Sequence, residues 1–341
     1  MSNLQPLTWY ILNLDMLTKE QIQNKNVLLR ADLDVPIRQD GRVENDYRLL
    51  ALLPTIKLCL EYAKKTVIIG HLGRPAGEDS SLSLAPVRDS LNRLLNQSIL
   101  LLPSGISPGE RWKGESPLVL MENLRFDPRE EKLDRGFASE LAIGADIYIY
   151  EAFATYRDST SLTLIPEILP TLTGFRFDEE VQTLQKVLNN PLHPTLLLAS
   201  GAKQDKLEII NKISQKFDQV LLGGVFAKRE DRTPDGFDLN EITTSRFVSS
   251  ILEAKTIVLN GPVGAYEDGI HIQATKAVFQ AIIDSQAYSI LGGGDTLAAI
   301  STLGFSHASF SFVSTGGGAM LEFLANGTHP MLETLKNAKL I

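Results

Sequence analysis

Between residues 26 and 314, short runs of leucine and β-branched residues alternate with amphipathic stretches of helical spacing. The first half carries "NVLLRADL", "KTVIIG", "SILLLP", "PLVLMEN" and "DIYIYEAF"; the second carries "PTLLLAS", "DQVLLGG", "KTIVLN", "YSILGGG" and "SFSFVSTGGG". Strands that are apolar on both faces need cover on both faces, which intervening helices supply in parallel sheets. The expected fold class is therefore α/β. At 341 residues the chain exceeds what one compact core ordinarily organises, so two doubly wound parallel-sheet domains of Rossmann-like type are expected. Between the halves, "FDEEVQTLQKVLNNPLHP" begins acidic, places Val181, Leu184, Val187 and Leu188 on one helical face, and stops at Asn190 and Pro191. It reads as a hinge helix, 177–190, between an N-terminal domain 1–176 and a C-terminal domain 191–330.

A formal net charge of −8 opposes bulk affinity for nucleic acid or anionic membranes. Neither partner is expected, and any basic patch must be local. The single cysteine, Cys59, falls at an apolar position of "PTIKLCLEYAKK" and reads as a buried core thiol. No apolar stretch reaches the ~18 residues of a membrane span. The first twenty residues lack a basic start and interrupt their apolar run at Asn13 and Asp15, so a cytoplasmic location is expected.

Two strand ends run into triple glycines. In "SFVSTGGGAMLEFLANG" a strand at Phe310–Val313 hands over to a helix from Ala319 through Gly316, Gly317 and Gly318. Glycine inside an element costs roughly 0.5–1 kcal/mol relative to alanine, so a run of three answers a geometric need. The first helical turn has unpaired N–H groups, which form an anion site where no side chain stands in front of them. A tight turn without a ligand is the simpler alternative. "YSILGGGDTLAAI" repeats the arrangement at Gly292, Gly293 and Gly294 and adds Asp295 and Thr296 at the helix start. A capping role for Asp295 is the plain reading; two such turns together, one with a carboxylate suited to Mg²⁺, point to a nucleotide and its metal. Neither turn is a Walker A loop, and no G-x-G-x-x-G occurs.

Charged residues gather at the strand ends of the first half: Asp32 and Asp34 in "LLRADLDVP", Arg48 in "NDYRLL", His71 and Arg74 in "IIGHLGRP", Arg125 in "LMENLRFDP" and Arg157 in "EAFATYRDSTS". Singly, such arginines are usually surface or ion-pairing residues. Together, in a chain of negative net charge, they read as a basic cup for a small, highly charged anion.

Taken in order, "VLLRADLDVP", "LLPTIKLCL", "GHLGRPAG", "MENLRF", "SGAKQDK", "VLLGG", "VLNGPVGAYE", "LGGGDTLAA" and "VSTGGGAMLE" make the chain resemble the phosphoglycerate kinase family over nearly its whole length. The resemblance implies a two-lobed, monomeric enzyme that closes by a hinge, with the tail 331–341 packing back on the N-terminal lobe. It implies reversible phosphoryl transfer between 1,3-bisphosphoglycerate and ADP, with 3-phosphoglycerate and ATP/ADP as small-molecule partners and Mg²⁺ as cofactor. Carried over, it makes Asp32, Asp34, Arg48, His71, Arg74, Arg125 and Arg157 the phosphoglycerate site, with Arg48 also reaching the transferred phosphoryl. Lys203 would meet that phosphoryl and Lys206 the nucleotide phosphates; Gly223 and Gly224 would flank adenine, Asn260 would lie near the phosphates, and Glu267 would hold the ribose. The turn Gly292, Gly293, Gly294 belongs to the nucleotide site, with Asp295 the Mg²⁺ ligand and Thr296 a phosphate contact. Gly316, Gly317 and Gly318 would cradle the moving phosphoryl.

The chemistry suits those residue types, since a carboxylate or phosphate oxygen is already ionised at neutral pH and needs no general base. Positioning and charge stabilisation must then carry the reaction. Three departures stand out. Asp34 occupies a position where the family usually has Asn, and a carboxylate about 4 Å from an anionic substrate costs roughly 1 to 4 kcal/mol unless it is paired. "YIYEAFATYRDSTS" differs from the family's Asn-Asp-Ala-Phe and His-Arg-Ala-His pattern, and "GAKQDK" is one residue short between its lysines. After "LLGGVFAKR" the chain reaches its next helix through "EDRTPDGFDLNEITTSRF", where the family inserts a helix, strands and a hairpin. Two other functions are compatible with these departures: a phosphotransferase for a related carboxylate, and a degenerate paralogue that binds without turnover.

Overall fold

The computed structural model describes residues 17–201 and 206–337. Eleven strands are present among them: β1 (Asn26–Ala31), β2 (Lys65–Ile69), β3 (Leu100–Leu102), β4 (Leu118–Met121), β5 (Ile147–Glu151), β6 (Thr171–Thr173), β7 (Thr195–Ala199), β8 (Gln219–Leu222), β9 (Thr256–Asn260), β10 (Tyr288–Gly292) and β11 (Phe312–Ser314). They form two sheets, ordered β3-β4-β2-β1-β5-β6 and β11-β10-β9-β7-β8, and every strand pair is parallel. The alternating sequence thus gives two doubly wound α/β sheets. The central strands β2, β5, β7 and β9 are buried at every residue, as their uninterrupted apolar runs require. Only β6 escaped the sequence reading, because its three residues, Thr-Leu-Thr, contain no apolar run.

The helix between the sheets spans Phe175–Asn189, two residues longer at its start than the expected 177–190, with Gly174 as its N-cap. Apolar packing is continuous across it: one cluster runs from Val67 and Tyr148 through Phe177, Val181 and Leu184 to Val258, Ile290 and Phe323. The helix Pro330–Asn337 adds Met331, Leu332 and Leu335 to the same cluster, beside Leu162, Leu164 and Ile165 of the N-terminal half. Just before it, buried His329 donates from Nε2 to the Phe153 carbonyl at 3.0 Å and accepts the Met331 N–H at Nδ1. Burial pushes its pKa down to about 4, so the ring is neutral there. Residues 338–341 of the expected tail lie outside the described residues. Cys59 is in the core, and burial pushes its thiol pKa up to about 12.

The shortened stretch of the second half is compact. Between the turn Gly224–Phe226 and the helix Glu241–Glu253 stand only a turn at Arg229–Asp231 and one antiparallel bridge, Arg232 to Leu239.

Candidate active site

Parallel sheets align their carboxyl ends, and the charged residues of the N-terminal half meet there. Asp32 follows β1 and is buried; burial raises its carboxyl pKa above the ordinary value, opposed by Arg48, whose Nη1 stands 3.5 Å from Oδ1. Asp34, half-exposed, does not pair with an arginine side chain. Its Oδ1 accepts the Gly73 N–H at 2.8 Å, its Oδ2 lies 4.0 Å from His71 Nε2, and its backbone carbonyl accepts from Arg48. Arg125 donates to the Gly73 carbonyl at 2.6 Å and pairs with Glu131 at 3.2 Å. Arg74 and Arg157 are exposed and have no side-chain partner among the described residues.

His71 departs from the expectation of a basic group. The buried Arg30 donates to its Nδ1 at 2.7 Å, which leaves the ring proton on Nε2, facing Asp34 and the cup. Burial, together with Arg30, Arg125, Arg48 and Arg74, pushes the His71 pKa well below its ordinary value. The ring therefore serves as a neutral donor. Arg30 was missed in the sequence, although a cation inside the apolar run "VLLRA" was a visible signal. It also donates from Nε to Ser161, which in turn donates to the buried Glu130 at 2.6 Å.

In the C-terminal half the two triple-glycine turns lie side by side, at the ends of the paired strands β10 and β11. They open the helices Gly294–Thr302 and Gly317–Asn326, so the latter begins before the expected Ala319. The glycines have different reasons to be there. A Cβ on Gly317 would fall 2.2 Å from the Gly293 Cα and 2.4 Å from its nitrogen, and one on Gly316 would meet the Ala154 Cα at 2.7 Å. A Cβ on Gly318 or on Gly294 would meet nothing within 4 Å. Packing therefore demands the first two, and an open space remains only in front of Gly318 and Gly294. The Gly316 N–H is satisfied by the Ser314 hydroxyl at 3.2 Å; those of Gly317 and Gly318 are first-turn donors without a partner among the described residues.

Asp295 caps nothing. Gly293, with φ +113°, occupies the N-cap position, and the Asp295 carboxylate is exposed. Thr296 is fully buried, and its hydroxyl donates to the Gly292 carbonyl at 2.8 Å and accepts the Gly261 N–H at 2.9 Å. Its side chain is thus a structural brace, so the expected phosphate contact of Thr296 would fall to its backbone N–H. Asn260 is likewise internal, donating to the Gly317 carbonyl at 3.0 Å. Gly223 and Gly224 end β8; a Cβ on them would strike Val263 Cγ1 and the Gly201 carbonyl, each at 2.8 Å. Glu267 is exposed on the turn Tyr266–Asp268. Lys206 stands at the N-cap of the helix Leu207–Ser214; Lys203 lies outside the described residues.

The helix Phe175–Asn189 joins the two groups directly. The buried Glu151, at the end of β5, accepts the N–H groups of Arg176 and Phe177 in its first turn at 3.0 and 2.9 Å. One turn further, the fully buried Glu180 accepts the Thr315 N–H at 2.7 Å and hydroxyl at 2.9 Å, and pairs with Arg176 at 3.0 Å. Arg48 Nε donates to the Thr315 carbonyl at 2.9 Å, and the Tyr47 hydroxyl to the Val313 carbonyl at 2.8 Å. The cup and the second glycine turn are thereby brought together. A cavity of about 570 Å³ lined by Ile106, Asn123 and Phe137 includes none of these charged residues.

Comparison with known proteins gives the same picture. The family model described as phosphoglycerate kinase matches residues 17–229 and 226–327, two segments that meet where the chain is shortened. Among curated relatives, the phosphoglycerate kinase of Streptomyces avermitilis is 32% identical, covering 95% of this chain and 99% of its own length, and that of Aquifex aeolicus is 32% identical, covering 92% and 96%. Among solved structures, the phosphoglycerate kinase of Pyrococcus horikoshii superposes with a TM-score of 0.83 at 27% identity over 93% of this chain and 97% of its own. That of Coxiella burnetii gives 0.77 at 29% identity over 93% and 98%.

Proposed function

The chain belongs to the phosphoglycerate kinase family, and from that premise we propose how its own residues carry the transfer. The activity is a phosphotransferase reaction with a carboxyl group as acceptor, between 1,3-bisphosphoglycerate and ADP, giving 3-phosphoglycerate and ATP. In this reading the N-terminal lobe, 1–176, holds the phosphoglycerate with Arg48, Arg74, Arg125 and Arg157, while His71 donates from Nε2. The C-terminal lobe, 191–330, holds the nucleotide at Gly223, Gly224, Lys206 and Glu267, and Lys203 meets the transferred phosphoryl. The N–H groups of Gly317 and Gly318 take the phosphoryl oxygens, as an exposed helix N-terminus does for any phosphate.

Asp295 suits Mg²⁺, because its carboxylate is exposed, caps nothing and stands beside the glycine turn. An ion held by one carboxylate and by phosphate oxygens needs no cluster of protein ligands. When bound, the ion supplies charge neutralisation of the nucleotide phosphates. The remaining steps need no proton transfer, because the attacking oxygen is already ionised. Closure about the 177–190 helix excludes water from the acyl phosphate. A monomer in the cytoplasm is part of the same proposal.

The observation that carries this reading is the 2.9 Å hydrogen bond from Arg48 to the Thr315 carbonyl, which sets a substrate-lobe cation at the phosphoryl cradle. Thermal stabilisation by 3-phosphoglycerate and by Mg²⁺-ADP, measured separately, tests it. Both ligands should raise Tm; stabilisation by the nucleotide alone points to a related carboxylate substrate, and stabilisation by neither overturns the reading.

A further inference from the structure

One histidine bridges the shortened segment of the C-terminal lobe to the turn that carries Glu267. His271 Nδ1 lies 2.5 Å from Asp268 Oδ2, and its Nε2 lies 2.9 Å from Asp235 Oδ2. A neutral imidazole has one donor and one acceptor nitrogen, so it would set a lone pair against one of these carboxylates. Only the imidazolium satisfies both. Asp235 belongs to the shortened segment, and Asp268 to the turn that carries Glu267. The segment touches the turn once more, through Ala265 N–H to the Phe237 carbonyl at 2.9 Å, and the Phe237 ring lies 5.3 Å from that of His271. With the intervening helix and strands of the family absent, these contacts fix the rim of the nucleotide side.

We propose that His271, held as an imidazolium between Asp235 and Asp268, is a positioning residue for the Glu267 turn, so that ADP binding weakens as His271 loses its proton. This rests on the nucleotide-site reading given above. The charged groups around the ring are few. Hydrogen bonds from His271 to Asp268, and then to Asp235, raise the histidine pKa above 6.5. Backbone and side-chain bonds from His271 hold Asp268 down at about 2, and Thr233 chiefly lowers Asp235. Asp238, the remaining nearby carboxylate, accepts the Leu239 and Ala274 N–H groups. Arg229, in the same segment, bonds the Pro234 carbonyl. Glu267 is exposed. Burial holds the Asp238 carboxyl above its ordinary value, but only the His271 ring bonds both Asp235 and Asp268, so the clasp depends on its proton. Because its folded pKa is raised, the clasp is complete below about 6.5 and is lost as pH rises through the folded value.

The test combines proton resonances of the His271 ring with calorimetry of Mg²⁺-ADP binding from pH 6 to 9, on the full chain and on the His271→Gln and Asp235→Asn variants. The wild-type ring should titrate above 6.5, and Asp235→Asn should lower that value. The ADP dissociation constant should rise several-fold more with pH in the wild type than in His271→Gln, with 3-phosphoglycerate affinity and kcat at saturating ADP unchanged. A ring that titrates at 6.5 or below, or identical pH profiles for ADP in wild type and His271→Gln, overturns the proposal. Ring titration and ADP binding are both read without turnover, so an absence of kinase activity would count against the proposed function and not against the clasp.

Discussion

Arg48 and Thr315 are 267 positions apart, yet the guanidinium Nε of one donates to the backbone carbonyl of the other at 2.9 Å. Thr315 immediately precedes Gly316–Gly318, and its N–H and hydroxyl are both held by Glu180 of the helix Phe175–Asn189. The position of the cradle relative to the cup is therefore set by buried polar contacts rather than by apolar packing alone. Removing one partner from such a network characteristically costs about 3–5 kcal/mol, because the other charge is left buried and unpaired.

The two cradle glycines that are alike in sequence should behave oppositely on substitution. Gly317→Ala drives a methyl into the Gly293 backbone and should destabilise by several kcal/mol, on the order of the larger overpacking penalties. Gly318→Ala meets nothing and lies in a helix, so it should raise stability by roughly 0.5–1 kcal/mol. Turnover should still fall, since the methyl stands where the phosphoryl would sit. Urea midpoints and kcat for both variants check this; a Gly318→Ala variant with full activity would contradict the cradle.

Asp34 bears on substrate affinity. Its carboxylate accepts the Gly73 N–H and pairs with no arginine side chain, so its charge still faces the cup. Asp34→Asn keeps an acceptor for Gly73 and removes the repulsion. Asp34 is half-exposed, so the gain belongs near the solvent end of the range, about 1 kcal/mol, or roughly fivefold in the KM for 3-phosphoglycerate. A KM that rises instead would show that the carboxylate contacts the substrate favourably.

Glu151 predicts a pH dependence of stability at the start of the helix Phe175–Asn189. Burial pushes its pKa up to about 7 against donors from Thr55, Phe177 and Arg176, and Asp178, in the same first turn, is pushed up by burial to about 6. A carboxyl whose folded pKa is raised holds its proton more tightly in the folded state. Its contribution is complete below the ordinary 4.5 and is lost as pH rises through 7, on the order of 3 kcal/mol in all. Glu151→Gln removes that loss, at the cost of an offset from the Phe177 N–H that does not vary with pH. The stability difference between variant and wild type should move in the variant's favour from pH 5 to pH 8; a difference that stays constant would mean Glu151 is ionised throughout.

Much of this was legible in the sequence because parallel strands announce themselves as uninterrupted apolar runs, and their carboxyl ends then mark the site. Asp32, Arg125 and both glycine turns do stand just after strands, as that reading placed them. Pattern reading could not apportion the glycines, since the neighbours of Gly316 and Gly317 are Ala154 and Gly293, remote in sequence. The internal bonds of Thr296 and Asn260 were hidden for the same reason: both side chains face inward to backbone groups that only the folded chain supplies. The charge of His71 depends on Arg30, 41 positions away. Glu151 was visible as a departure, but its partner is the first turn of the hinge helix.

The most direct measurement is ATP-dependent phosphorylation of 3-phosphoglycerate in a coupled assay, with Arg48→Ala and Asp295→Asn beside the wild type. Turnover is expected in the wild type, with a fall in kcat of about a hundredfold or more in Arg48→Ala, the scale of losing one preorganised charge contact to a transition state. Asp295→Asn should fall comparably, with Mg²⁺ dependence shifted to higher concentration. No turnover from folded wild-type protein at millimolar substrates, or full activity in both variants, would contradict that expectation.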